Sequence, residues 1–106
     1  MEKEIDVFEL KEKLKIKEVI LVDVREESEL KISKLDYDVF LPIGKIMQGD
    51  FDGLKLEDNI VFYCRSGNRS LRAVDIFKAK GFNKVKSLKG GINEWAQKID
   101  NSIHIY

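Results

Sequence analysis

The sequence predicts an α/β domain with a mostly parallel central sheet of about five strands, flanked by helices on both faces. Two runs carry that expectation: Val19–Val24, apolar except for Asp23 and rich in β-branched residues, and Asn59–Cys64. Neither alternates apolar with polar, as expected of strands covered on both faces, which is the usual state of parallel strands. The segments between and after them have helical spacing, so strands alternate with helices along the chain. The length of 106 residues fits a single domain, 1–106, and no linker, repeat or low-complexity segment divides it.

In chain order, Asp6 and Glu9 have capping-box spacing, with Asp as the cap. Val7, Leu10 and Leu14 then recur at helical spacing, which predicts a helix over roughly 7–15. After Val19–Val24, a short helix is expected from Glu26 to Leu30. Asp38–Ile43 reads as a weaker strand, with Pro42 near its end, where a missing amide donor does least harm. Gly44–Leu54 holds a short helix around Ile46-Met47 and a turn through Gly49 and Gly53. Beyond Cys64, a helix from Ser66 to Lys80 presents Leu71, Val74 and Phe77 on one side and stops at Gly81, a suitable C-cap. A short strand at Val85–Leu88 is followed by Gly90-Gly91 and a last helix, Ile92–Ile99, with Trp95 in the core. The tail Asn101–Tyr106 is too short to classify.

The 19 basic and 19 acidic residues cancel, so nothing draws the whole surface to nucleic acid or an anionic membrane, and attraction for anions must be local. Lysine-rich stretches such as Lys78–Lys89 read as a solvated face. One cysteine, Cys64, allows no internal disulfide. The start, Met1 to Asp6, has no apolar stretch of signal-peptide type, and the apolar runs are far too short to span a membrane. A cytosolic location is therefore expected. The one histidine, His104, reads as a surface residue and leaves little material for a zinc site or a Cys-His dyad. No metal and no cofactor are expected.

Cys64 opens the segment Cys64-Arg65-Ser66-Gly67-Asn68-Arg69-Ser70, between a strand and a helix. Ligands of open α/β sheets bind there, beyond the carboxyl ends of the strands. Gly67 lets the loop curl so that successive amides point inward as an anion nest, and the helix N-terminus adds roughly half a positive charge. Arg65 and Arg69 add whole charges. A lone cysteine is often a buried apolar filler, but the polar sequence after Cys64 is a poor core and a good anion loop. The local chemistry expected is a nucleophilic thiolate.

Four motifs occur in order: Val22-Asp23-Val24-Arg25-Glu26; Tyr63-Cys64-Arg65-Ser66-Gly67-Asn68-Arg69-Ser70; Gly81-Phe82 with Val85; and Leu88-Lys89-Gly90-Gly91 with Trp95. Together they resemble the single-domain rhodaneses, a sulfurtransferase family, over almost the whole chain. The resemblance implies that Cys64 attacks the outer sulfur of thiosulfate or a similar anionic donor, releases sulfite and holds the sulfur as a persulfide. A thiophilic acceptor, cyanide or a thiol, then removes it. It also implies that the amides of Arg65, Ser66, Gly67, Asn68, Arg69 and Ser70 cradle the sulfur. Arg65 and Arg69 would attract the donor, Arg69 also fixing the loop. Arg25 is expected near the donor's sulfonate, with Asp23 in support as an ion pair or turn cap, and Glu26 as a helix-start carboxylate.

Two other functions fit the same loop. One is a sulfur-relay module whose Cys64 is loaded or unloaded by a protein partner. The other is a cysteine-dependent phosphatase or arsenate reductase. Four residues separate Cys64 from Arg69, the six-residue loop of sulfur-handling rhodaneses, whereas the related phosphatases and arsenate reductases have one residue more. A leaving alkoxide also needs a general acid, and the loop contains no carboxylate. One departure concerns the Gly-His-Ile-Pro-Gly-Ala segment that follows Asp-Val-Arg-Glu in many rhodaneses. Here Leu30–Tyr37 occupies that place without its His, Gly or Pro.

Overall fold

The computed structural model describes residues 2–106; Met1, the first residue of the N-terminal stretch considered above, lies outside the described residues. Among the described residues there are five strands: β1 (Glu4–Ile5), β2 (Ile20–Asp23), β3 (Val39–Phe40), β4 (Ile60–Tyr63) and β5 (Val85–Leu88). Five helices accompany them: α1 (Val7–Lys15), α2 (Glu27–Leu30), α3 (Ile43–Met47), α4 (Asn68–Ala79) and α5 (Gly91–Lys98). The strand order is β1-β5-β4-β2-β3 and every pairing is parallel.

β4, at the centre, is buried along its whole length, which is why its sequence is continuously apolar. Its side chains still divide with the strand's two-residue period. Ile60, Phe62 and Cys64 face one core with Ala73, Val74 and Phe77 of α4 and Ile46 of α3. Val61 and Tyr63 face a second core with Val7 and Leu10 of α1 and Ile92 and Trp95 of α5. Each fully buried Ile, Leu or Phe contributes roughly 1.5–3 kcal/mol. In the first core Phe77 anchors the aromatic packing, with the rings of Phe62, Phe51 and Phe82 each 4.7 Å away. Asp6 caps α1 by accepting the Glu9 N–H at 2.8 Å.

Several boundaries differ from the sequence expectation, each for a physical reason. α4 starts at Asn68 rather than Ser66 because Gly67 adopts φ +114°, which an α-helix cannot include. The expected strand Asp38–Ile43 shrinks to Val39–Phe40, since Pro42 turns the chain and sits at the N-cap of α3. β1 was not expected: two residues, held by pairing Glu4 with Ser87 and Ile5 with Leu88, are too few to show a period.

α5 begins at Gly91, one residue before the expected Ile92, and this turn positions the site. Gly90 and Gly91 have φ of +80° and +63°. A Cβ on Gly91 would lie 2.4 Å from the Arg65 carbonyl oxygen and 2.5 Å from that of Cys64. Gly91→Ala is therefore expected to cost on the order of 3 kcal/mol, combining strain at positive φ with a clash against backbone. Gly44, inside α3, has nothing within 4 Å of its would-be Cβ. Gly44→Ala should be neutral or stabilising by about 0.5–1 kcal/mol. Urea unfolding compares the two; equal losses would show that close approach at Gly91 is not the constraint.

Candidate active site

The chain leaves β2 toward β3 and leaves β4 toward β5, in opposite directions across the sheet. A crevice opens at such a reversal, beyond the carboxyl ends of the two strands. The segments there are Val24–Glu26, after β2, and Cys64–Gly67, after β4.

Cys64 is only 1 % exposed, with its side chain on the floor of the loop above the first core. The positive φ of Gly67 reverses the chain over the sulfur, so that the Gly67 N–H donates to Sγ at 3.2 Å. The Ser70 N–H, in the first turn of α4, donates to the same atom at 3.4 Å. The Ser70 hydroxyl stands 3.5 Å from Sγ, bonds the Gly67 carbonyl at 3.1 Å and lies 2.6 Å from the buried Ser87 hydroxyl. Bonds of this kind stabilise charge on sulfur more than they stabilise a neutral thiol. The helix N-terminus adds the same preference. From the far side, the first amides of α5 clamp the loop: Ile92 N–H donates to the Cys64 carbonyl at 2.9 Å and Asn93 N–H to that of Arg65 at 3.2 Å.

Three arginines surround this cradle with different partners. Arg25 is fully buried. Its Nε and Nη2 bind the Asp23 carboxylate at 2.9–3.2 Å, Nη2 also reaches the Ser33 carbonyl at 2.7 Å, and Nη1 donates to Tyr106 Oη at 2.8 Å. Burial works to lower the Arg25 pKa, but Asp23 and Tyr106 outweigh it and hold the guanidinium firmly charged. Tyr63 Oη donates to Asp23 at 2.6 Å and accepts the Leu35 N–H at 3.1 Å. Burial, then the Asp23 charge, pushes the Tyr63 phenol well above its ordinary range.

Arg69 forms a two-pronged pair with Glu29, at 2.7 and 2.9 Å. Glu29 also accepts Tyr106 Oη at 2.7 Å and the Glu26 N–H at 2.8 Å. Arg69 above all, with Tyr106 and Glu26 helping, holds the Glu29 carboxyl down at about 2 against a partial burial that would raise it. Arg65 is exposed and has no carboxylate partner among the described residues. Its guanidinium lies over the Tyr106 ring, 4.9 Å from the centroid.

The expected site residues are thus sorted. Cys64, Gly67 and Ser70 come together around the sulfur, and the described bonds to Sγ come from Gly67 and Ser70 rather than from every amide of Arg65 through Ser70. Ser66 and Asn68 are exposed on the rim. One expectation is corrected. Arg25 is not a donor contact: a guanidinium with no exposed surface cannot meet a sulfonate, and its bonds tie the β2 end to the 31–38 segment. Arg69 is paired edge-on with Glu29, which ties the loop to α2, the loop-fixing half of what was expected of it. Asp23 is the acceptor for Arg25 and Tyr63. The segment without the Gly-His-Ile-Pro motif is secured through Ser33 and Leu35 instead.

Glu29, Tyr63, Ser87 and Tyr106 were not singled out from sequence. Glu29 stands three residues after Glu26, a spacing that could have flagged it; a six-residue tail gives no comparable signal for Tyr106. Surface cavities of about 330 and 800 Å³ lie elsewhere, neither lined by the Cys64 loop. No group of three or more His, Cys, Asp or Glu residues among the described residues is placed to hold a metal, and no helix is long and apolar enough to cross a membrane.

The rhodanese-like domain family model matches residues 6–98. A mitochondrial protein of Schizosaccharomyces pombe, provisionally named a thiosulfate sulfurtransferase, is 36% identical over 95 residues, covering 78% of this chain and 67% of its own. A protein of Debaryomyces hansenii named adenylyltransferase and sulfurtransferase is 34% identical over 82% of this chain, which spans only 21% of that relative's length. Among solved structures, a rhodanese-related protein of Thermoplasma volcanium matches with a TM-score of 0.81 and 27% identity, covering 92% of this chain and 93% of its own. The human single-domain sulfurtransferase shares the fold, with a TM-score of 0.83 at 22% identity over 92% of this chain and 98% of its own.

Two variants test the supporting network. Glu29 has a folded pKa of about 2 against an ordinary 4.5, so its pairing stabilises fully above about pH 4.5 and is lost as pH falls toward 2. Glu29→Gln should lower stability at pH 7 by roughly 1 kcal/mol and flatten the loss of Tm below pH 4.5; an unchanged acid profile would contradict the pairing. Tyr63→Phe removes one of the bonds to Asp23 Oδ2, which keeps those from Arg25, and leaves the buried Leu35 amide without its acceptor. A loss of ~1–3 kcal/mol in urea unfolding is expected.

Proposed function

The chain belongs to the rhodanese-like domain family, a sulfurtransferase family, and on that premise we propose that it moves a sulfane sulfur from thiosulfate, or a similar anionic donor, to a thiophilic acceptor through a Cys64 persulfide. The observation that carries this reading is the convergence of the Gly67 and Ser70 amides on Cys64 Sγ, at 3.2 and 3.4 Å. A cradle made of backbone donors stabilises a thiolate before transfer and a terminal persulfide anion after it.

In the first half-reaction the Sγ thiolate attacks the outer sulfur of thiosulfate. An S–S bond forms to the enzyme, the S–S bond of the donor breaks, and its electron pair leaves with sulfite. Arg65 is the cation on hand to meet the departing anion. In the second half-reaction cyanide attacks the outer sulfur; the persulfide bond breaks, its electron pair returns to Sγ, and thiocyanate leaves. No proton transfer to a leaving alkoxide is required.

That last point separates the reading from phosphate ester hydrolysis. Two carboxylates at this edge of the sheet are engaged: Asp23 by Arg25 and Tyr63, Glu29 by Arg69 and Tyr106. A carboxyl held at about 2 by Arg69 has no proton to give at neutral pH. Sulfur relay is the second reading, supported by the relatives whose names pair an adenylyltransferase with a sulfurtransferase. There a protein persulfide takes the place of thiosulfate and the step at Cys64 is unchanged. A reducing compartment such as the cytosol, where a lone thiol stays free, is part of the proposal.

Exposure to thiosulfate should raise the intact mass by one sulfur atom and release sulfite. Cyanide should then restore the mass and yield thiocyanate, and Cys64→Ser should do neither. Sulfite release that survives in Cys64→Ser would sink the proposal. Fast loading by a cysteine desulfurase with poor thiosulfate turnover would favour the relay.

A further inference from the structure

Tyr106 is linked to every part of the charged rim. Its Oη donates to Glu29 at 2.7 Å and accepts from Arg25 at 2.8 Å. Its N–H donates to Asn93 Oδ1 at 3.3 Å, and its main-chain oxygen accepts from Asn93 Nδ2 at 3.5 Å. Asn93 lies in the first turn of α5, and its own backbone N–H donates to the Arg65 carbonyl at 3.2 Å. The backbone of Arg65 and that of Tyr106 are thus referenced to the same helical turn. Across that short span the Arg65 guanidinium rests over the Tyr106 ring at 4.9 Å.

The ionic bookkeeping at the rim makes this contact matter. Arg25 is neutralised by Asp23, and Arg69 by Glu29. Arg65, next in sequence to the nucleophile, is the guanidinium of the three without a carboxylate, and it is exposed. An exposed arginine samples many rotamers, and ordering it on binding costs affinity. A ring beneath it selects the conformers lying over its face and leaves the charge uncancelled.

We propose that Tyr106 is a positioning residue that sets donor specificity: by stacking under Arg65 it holds the loop's uncompensated positive charge in place for the anionic end of a sulfur donor, favouring charged donors over neutral ones. This deepens the function proposed above and rests on it. An exposed cation–π contact corresponds to roughly a two- to fivefold effect on binding.

The test compares wild type with Tyr106→Leu and Tyr106→Phe. Tyr106→Leu should raise the KM for thiosulfate roughly two- to fivefold with kcat kept. It should also lower, by a similar factor, the ratio of Cys64 alkylation rates by anionic iodoacetate and neutral iodoacetamide. Tyr106→Phe, which keeps the ring and loses the hydroxyl, should restore both quantities. If Tyr106→Leu slows both alkylating reagents equally, leaving the ratio unchanged, the residue only packs the tail and the inference is overturned. The ratio needs no sulfur transfer, so wild-type protein that thiosulfate fails to load would defeat the proposed function while leaving the role of Tyr106 to be decided by alkylation.

Discussion

Two amide protons, those of Gly67 and Ser70, meet at the sulfur of Cys64. Much of the carboxyl edge of the sheet follows from that convergence. It requires a residue at φ +114° between strand and helix, which of the twenty residues only glycine adopts readily, here Gly67, and so α4 starts later than an uninterrupted apolar pattern would allow. The turn must also be kept from opening outward. The amides of Ile92 and Asn93 supply that restraint, and they reach the Cys64 and Arg65 carbonyls because Gly91 has no side chain to hold the backbones apart. Central β4 and the packing of Phe62 and Phe77 beneath it give the loop a rigid base.

Charge is distributed around the cradle with similar economy. The whole chain is balanced, with 19 residues of each sign, so local positive charge depends on which cations are cancelled. Arg25–Asp23 is a fully buried pair. A pair of that kind adds little net stability, because desolvation offsets most of the attraction, but removing one partner is costly. Its consequence is geometric: Asp23, Arg25 and Tyr63 together pin the β2 end and the 31–38 segment. Arg69–Glu29 joins α4 to α2, leaving Arg65 as the cation at the mouth.

The sheet and the place of Cys64 in a strand-to-helix loop were legible in the sequence because their signals are local. Ile60–Tyr63 is continuously apolar since both its faces are covered, and Cys64-Arg65-Ser66-Gly67 places a thiol directly before a flexible residue. The network around Cys64 was not legible, because its members are far apart in the chain. Arg69 and Glu29 are 40 residues apart, and Arg25 and Tyr106 are 81. Arg25 shows the limit most clearly. A basic residue at the carboxyl end of a strand looks the same in sequence whether it meets a ligand or lies buried against Asp23, and only the placement of Tyr106 and Ser33 decides between them. β1 escaped notice for another reason: a two-residue strand owes its existence to its partner in β5 rather than to its own composition.

The central claim is that the Gly67 and Ser70 amides hold anionic sulfur on Cys64. Amide proton and nitrogen NMR shifts of the ¹⁵N-labelled protein, recorded before and after thiosulfate treatment, test it most directly. The Gly67 and Ser70 resonances should move most, returning when cyanide strips the sulfur and staying still in Cys64→Ser. Sulfur loading that leaves both amides unmoved while shifting resonances elsewhere would contradict the account.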